Sequence, residues 1–161
     1  MANKAVWAVT ALVAGCISAA SAQAKSDREF LTDAIKGDNS EVLLGKIAET
    51  KSSTKAAKSF GRMLVKDHSK AKRQAAAVAL KMGVEVPSDV SDEAAQEQKK
   101  LESLSGSAFD KEFANYMVSD HQKDISEFED QAKTGKGVVS KLAKETLPTL
   151  RKHLKAARSL E

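Results

Sequence analysis

The sequence predicts an all-α protein: a ferritin-like four-helix bundle with one short crossover helix, preceded by a cleaved signal peptide. Composition is the first reason, because charged residues make up 30% of the 161 residues and aromatic residues only 4%, which is typical of helical proteins rather than of β-sandwiches or barrels. Periodicity is the second, because apolar residues recur every three or four positions in four long segments. The single cysteine, Cys16, excludes an internal disulfide framework and a zinc site built on several thiolates.

Residues 1–24 have the pattern of a secretory signal peptide. Lys4 is followed by an apolar run over residues 5–17 and then by small residues that end in an A-x-A cleavage pattern at Ala24. This run is too short to cross a bilayer, which takes about 20 apolar residues. We therefore expect a mature domain of residues 25–161 in the periplasm or cell envelope.

The same segment allows a second interpretation. Val13-Ala14-Gly15-Cys16 resembles the lipobox of bacterial lipoproteins, in which the cysteine becomes the lipidated first residue. In that case Cys16 would attach the protein to the inner or outer membrane. Otherwise Cys16 is one more small apolar residue of the signal peptide. Both interpretations place the mature protein outside the cytoplasm.

The first half of the mature chain predicts an antiparallel pair of long helices. Helical periodicity extends over residues 27–50 and again over residues 54–82. The Ser-Ser-Thr sequence between them forms the turn and supplies the N-cap of the second helix. Gly83 ends that helix.

The second half predicts a short helix and another long pair. A connector that contains Pro87 leads to a short polar helix over residues 91–104, which Gly106 is expected to close. Apolar stripes follow over residues 107–133 and 138–160, on the two sides of a Gly-Lys-Gly turn. Four helices that are apolar on one stripe must bury those stripes against one another. The short helix returns the chain along the bundle, so that the second and third long helices run parallel.

An internal repeat supports the parallel pair. The segment 60–70 aligns without a gap on the segment 113–123, and Phe, Val, Asp, His and Lys recur at the same places. Either the segment was duplicated, or the two helices meet the same environment.

Three histidines form the most informative pattern. His68, His121 and His153 are the only ones in the chain, and each lies on the apolar stripe of its own helix. The first two occupy the same place in the repeated segment. His121 precedes the turn at Lys136 by 15 residues and His153 follows it by 17, a difference of about 3 Å along a helix axis. All three imidazoles are therefore expected in one layer of the core.

The first long helix carries no histidine but offers carboxylates at that layer. Asp38 fits the height better, and Glu41 fits the buried face. Further carboxylates next to the histidines could bond their second nitrogens or serve as ligands: Asp67, Asp120 and Asp124. Three imidazoles and a carboxylate suit a divalent transition metal such as zinc, copper or iron(II).

Two other hypotheses accompany the metal site. In the first, the histidines form a metal-free network with the aspartates and with Tyr116, one turn from His121, which fixes the helix register of a structural or interaction protein. In the second, the protein is a metal-dependent oxidoreductase. The Glu-x-x-His motif of ferritin-like di-iron sites is absent, because Val65, Val118 and Leu150 stand three residues before the histidines. The sequence therefore favours a non-catalytic protein.

The last helix is basic. Its cations, set against the single acid Glu145, could meet an anionic membrane surface: Lys141, Lys144, Arg151, Lys152, Lys155 and Arg158. Export argues against nucleic acid as a partner, and no pattern in the sequence indicates a protein partner.

Several motifs together resemble a known family. They are the secretory start, Met63-Leu64-Val65-Lys66-Asp67-His68, Val86-Pro87, Phe109-Asp110-Lys111, Asp120-His121-Gln122, Leu147-Pro148-Thr149-Leu150 and His153-Leu154. Over about residues 27–160 the chain resembles the bacterial family named domain of unknown function 4142. The resemblance implies a ferritin-like helical bundle in the cell envelope and assigns no activity. The leading expectation is thus an exported protein that binds a transition metal in the bundle core, for metal handling or stress protection.

Overall fold

The structure is a computed structural model that describes residues 25–161. The predicted signal peptide, residues 1–24, and Cys16 with its lipobox lie outside the described residues. Five helices make up the described chain: α1 (Asp27–Lys51), α2 (Lys55–Lys81), α3 (Asp92–Ser103), α4 (Gly106–Thr134) and α5 (Gly137–Arg158). The predicted all-α fold is confirmed, and each predicted helix is present to within about two residues at its ends.

The helix ends follow from local sequence. Ser26, Thr54 and Ser91 each accept a hydrogen bond from a backbone N–H in the first turn of α1, α2 and α3, which satisfies one of the free donors at a helix start. The expectation that Gly106 closes the short helix is wrong. Gly106 begins α4 with a φ of +59°, a conformation that costs glycine little, so the chain turns directly from α3 into α4.

The long helices form two antiparallel hairpins. α1 packs along α2 and α4 packs along α5, while the hairpins meet through α2 with α5 and α1 with α4. The crossover helix α3 lies against α1 and α4. Pro148 lies inside α5 without dividing it. Within residues 25–161, no helix is long and apolar enough to cross a membrane.

The repeated segments of α2 and α4 face each other across the core. The rings of Phe60 and Phe113 are 5.9 Å apart, and the rings of His68 and His121, eight residues further along each helix, are also 5.9 Å apart. Equal separations at equal spacing show that α2 and α4 run parallel. The connection predicted from the repeat is therefore confirmed.

Two apolar clusters fill the core at different heights. One contains Phe60, Phe109 and Phe113 together with Leu44 and Leu101. The other is built on Phe30, Leu31, Ile35, Val78 and Val139. The histidine layer lies between them, so it is closed to water from both ends of the bundle.

α1 and α2 approach each other closely at two glycines. A Cβ atom built on Gly61 would lie 2.6 Å from the carbonyl oxygen of Gly45, and one built on Gly45 would lie 2.8 Å from the carbonyl oxygen of Gly61. No other residue fits this crossing without separating the helices. The close approach holds Glu41 of α1 and His68 of α2 within reach of each other.

Candidate metal centre

The three histidines meet in the core. His68 comes from α2, His121 from α4 and His153 from α5, and their side chains are 3%, 0% and 0% exposed. The ring centroids are 5.0 Å apart for His68 and His153, 5.4 Å for His121 and His153, and 5.9 Å for His68 and His121. Three helices thus bring their imidazoles to one point.

One nitrogen of each imidazole is held by a hydrogen-bond partner. Nδ1 of His68 lies 2.8 Å from Oδ1 of Asp38, and Nε2 of His153 lies 3.0 Å from Oδ2 of Asp67. Nδ1–H of His121 donates to the carbonyl oxygen of Met117 at 2.9 Å. Ligating histidines in metalloproteins are oriented in this way, with the second nitrogen bonded to a carboxylate or a carbonyl.

The remaining nitrogens face one another. Nε2 of His68 and Nδ1 of His153 are 3.1 Å apart. One nitrogen from each of His68, His121 and His153 lies within 4.8 Å of the others. Two nitrogens that each bind one ion at about 2.0–2.1 Å in tetrahedral geometry stand a little over 3 Å apart, so the separation of the His68 and His153 nitrogens suits a shared ion.

Glu41 lies at the centre of the layer without hydrogen bonds. Its Oε2 is 2.7 Å from Nδ1 of His68, and its Oε1 is 3.0 Å from Nε2 of His121. Neither oxygen makes a hydrogen bond of acceptable geometry, and neither does Nε2 of His121, although all three atoms are buried. Leaving a buried polar atom unpaired costs about 1–3 kcal/mol, and more for a charged group. A cation between these atoms would pair them.

The buried groups shift one another's pKa values. Burial opposes protonation of His68, but Glu41 and Asp38 outweigh it and hold the pKa of His68 well above 6.5. Burial and the nearby charge of His68 lower the pKa of His153 to about 4, and burial lowers that of His121. Burial raises the pKa of Asp38 to about 6. For Glu41, the imidazoles of His121 and His68 outweigh burial and lower the pKa to about 2.

The protonation states that follow from these pKa values give one consistent chain of hydrogen bonds in the metal-free protein. A doubly protonated His68 donates from Nδ1 to Asp38 and from Nε2 to Nδ1 of His153. Neutral His153 then donates from Nε2 to Asp67, which also accepts from Lys152 at 3.1 Å. His121 stays outside this chain and turns its free nitrogen toward Glu41.

The structure also places the other residues predicted from the sequence. Asp120 offers an oxygen within 4.8 Å of the nearest Glu41 and His121 ligand atoms, and burial with the charge of Glu41 raises the pKa of Asp120 to about 7. Asp124 lines a small cavity beside Asp38 and Glu41, and burial raises its pKa well above 3.8.

Tyr116 does not belong to the network. It is half-buried and packs against the apolar cluster that contains Phe113. Within the described chain, no hydrogen bond joins it to the imidazoles. Sequence reasoning missed the carbonyl of Met117, although a residue four positions before His121 on a helix offers its carbonyl at this place.

The family model for the domain of unknown function DUF4142 matches residues 14–160. The chain belongs to the DUF4142 family. No curated protein matches this DUF4142 chain. Similar solved structures share its fold at low identity. A DUF305 fragment from Deinococcus radiodurans has a TM-score of 0.74 and 16% identity over 83% of this chain and 93% of that one.

Two further structures are similar to the DUF4142 chain. CopM in its Cu(II)-bound form has a TM-score of 0.71 and 14% identity, over 85% of this chain and 96% of that one. A DUF305 protein from Streptomyces coelicolor, named as a secreted protein, has a TM-score of 0.69 and 14% identity, over 86% of this chain and 93% of that one. At these identities the similarity establishes the helical fold.

Proposed function

We propose that this DUF4142 protein is an exported metal-binding protein that holds a divalent transition metal, with Cu(II) preferred, for metal handling or stress protection. The proposed ligands are His68, His121, His153 and the carboxylate of Glu41. Asp38, Asp67 and the carbonyl of Met117 orient the imidazoles. Asp120 and Asp124 lie beside these ligands.

One observation carries the proposal. Each of the three buried imidazoles has one nitrogen held by a partner and the other directed into a shared space. A hydrogen-bonded core would pair Nε2 of His121 and both oxygens of Glu41, yet these atoms have no hydrogen bond. An ion held between Oε1 of Glu41 and Nε2 of His121, which are 3.0 Å apart, would pair both of those atoms.

The donor set favours Cu(II) and Zn(II). Imidazole suits both, and for one site of nitrogen and oxygen donors the affinity of divalent ions rises to a maximum at copper. CopM, which shares the fold, is a Cu(II)-bound protein. The three imidazoles are almost fully buried, which favours retention of an ion over turnover of a substrate.

Metal analysis of the purified protein tests the proposal. We expect one ion per chain by mass spectrometry and a rise in stability of about 2.7 kcal/mol when free Cu(II) is 100-fold above its dissociation constant. Replacing all three histidines with alanine, or His121 alone with glutamine, should abolish or weaken binding. Met117→Leu is the matched control, because it changes a buried side chain one helical turn from His121 and keeps the carbonyl.

A metal-free structural core is the second candidate. The hydrogen-bonded chain from Asp38 through His68 and His153 to Asp67 favours it. It predicts that the histidine variants lose stability and that Cu(II), Zn(II) and Fe(II) leave the melting temperature unchanged. Wild-type protein without bound metal and without a thermal shift would refute the metal proposal and support this one.

We also propose that the protein acts in the cell envelope. The signal-like pattern of residues 1–24 and the structural similarity to CopM and to the secreted DUF305 protein support this location. The mass of the mature N-terminus decides how it is held there. Cleavage after Ala24 gives a protein that begins at Lys25. Lipidation gives a diacylated or triacylated Cys16 and retention in the membrane fraction.

A further inference from the structure

The charges of the bundle are segregated by helix. α2 and α5 together carry fourteen lysines and arginines but only two acidic residues, Asp67 and Glu145. α1 and α4 together carry thirteen acidic residues and seven basic ones. A cation that approaches the core is therefore attracted to the α1–α4 side and repelled from the α2–α5 side.

Two cavities reach His68 from these two sides. The one between α2 and α5 is the larger, about 320 Å³. Its two carboxylates already have cationic partners, since Asp67 pairs with Lys152 at 3.1 Å and Glu145 with Lys141 at 3.8 Å. The larger opening thus offers an incoming cation no free carboxylate.

The other cavity lies between α1 and α4. Its volume is about 20 Å³, enough for one water molecule or one ion. Glu41, whose buried oxygens accept no hydrogen bond, lies at its inner end. Four further carboxylates line the cavity from its outer end inward: Asp33, Asp38, Asp124 and Glu127. His68 also lines it, so this path ends at the proposed metal ligands.

A cation already stands near the outer end. The ammonium of Lys25 lies 2.8 Å from Oδ2 of Asp33 and 2.8 Å from Oε2 of Glu127. It therefore joins α1 to α4 across the cavity that both carboxylates line. These carboxylates hold a positive charge at a position that a metal ion could take over.

We propose that the metal ion reaches the core between α1 and α4, where Asp33 and Glu127 capture it in exchange for the ammonium of Lys25. Asp124 then passes the ion inward to Glu41 and His68. This route rests on the proposed function, because it supplies that same metal centre. It makes Asp33, Asp124 and Glu127 residues that set the rate of metal uptake.

Gly37 allows the route to be blocked without changing a ligand. It lines the α1–α4 cavity, and a Cβ atom built on it meets no atom within 4 Å. A leucine at this position has room for its Cβ and would extend into the path. Thr149 is the matched position on the other side, because it lines the α2–α5 cleft.

The experiment is stopped-flow mixing of the purified protein with Cu(II), followed by the absorbance of the Cu(II)–imidazole complex. The final amplitude gives stoichiometry and affinity, and the time course gives the rate of uptake. We expect Gly37→Leu to slow uptake at least tenfold with a wild-type final amplitude. Thr149→Leu should keep the wild-type rate.

Charge and salt give a second, independent test. Lys25→Gln should speed uptake severalfold, and Glu127→Gln should slow it. Added salt should slow wild-type uptake, because it screens attraction to the acidic side; uptake through the basic side would be accelerated instead.

The outcomes separate the two proposals. A wild-type protein that shows no final Cu(II) signal overturns both the metal centre and the route. Full binding with an unslowed Gly37→Leu variant, or with Thr149→Leu as the slow variant, overturns the route and leaves the metal centre standing.

Discussion

Replacing Gly61 with alanine should loosen the bundle at the crossing of α1 and α2. The new Cβ would lie 2.6 Å from the carbonyl oxygen of Gly45, 3.1 Å from Cβ of Ala48 and 3.2 Å from the backbone nitrogen of Glu49. Favourable carbon contacts begin near 3.5 Å, so the helices must separate by roughly 1 Å. Two of the three contacts are with backbone, which cannot rotate away.

The net effect is the difference between two opposing terms. Alanine stabilises a helix interior relative to glycine by about 0.5–1 kcal/mol, whereas overpacking of a tight contact costs about 1–3 kcal/mol. We expect a net loss of about 1–2 kcal/mol and a fall in melting temperature of roughly 3–10 °C. Glu41 and His68 lie on the two helices that separate, so Cu(II) binding should weaken as well.

Gly37→Ala is the matched substitution. It makes the same glycine-to-alanine change inside a helix, here α1 instead of α2, but its Cβ meets no atom within 4 Å, so it should raise stability by about 0.5–1 kcal/mol. Urea unfolding followed by circular dichroism measures both variants. If the two variants change stability in the same direction and by the same amount, the close approach of α1 and α2 is not what excludes a larger residue at Gly61.

Three further predictions concern the site. Glu41→Gln keeps the shape but removes the charge between two imidazoles, so Cu(II) affinity measured by calorimetry should fall at least tenfold; unchanged affinity would exclude Glu41 as a ligand. Asp67→Asn weakens the hydrogen bond that orients His153 and should lower Cu(II) affinity about tenfold in the same assay. Unchanged affinity would show that Asp67 only forms an ion pair with Lys152 at the surface. The pKa of His68 is higher in the folded protein than in the unfolded chain. In metal-free protein the protonated imidazole therefore contributes fully to stability below about pH 6.5, and this contribution is lost as the pH rises through the folded pKa. Urea unfolding at pH 6.5 and about pH 9 should show this loss of stability in the wild type. An equal loss in His68→Gln would show that other groups cause the pH dependence.

The sequence predicted the features that depend on regular geometry. A rise of 1.5 Å per residue converts spacing into height, which is why counting from a turn placed His121 and His153 in one layer. The repeat gave the parallel register of α2 and α4, and the matching ring distances at Phe60–Phe113 and His68–His121 confirm it.

The sequence could not predict contacts that depend on rotamers and on helix rotation. Asp38 and Glu41 were alternatives, but both reach Nδ1 of His68, at 2.8 and 2.7 Å, because three positions along α1 place them on one face. Tyr116 has a suitable height, yet it lies on the flank of α4 against apolar residues. The cleavage site and the fate of Cys16 depend on processing enzymes, and they stay predictions.

The energetics of the layer argue that it is kept for a purpose. Removing ionised groups from water costs several kcal/mol each, and apolar residues of similar volume in such a place are often as stabilising or more so. Here the charged layer separates two apolar clusters that could otherwise form one core. Its hydrogen bonds account for His68 and His153 but leave both oxygens of Glu41 and Nε2 of His121 without a hydrogen bond. A sequence that violates the packing rules at one place while obeying them elsewhere marks that place as functional, and the two unpaired groups are the ones that a bound cation would join.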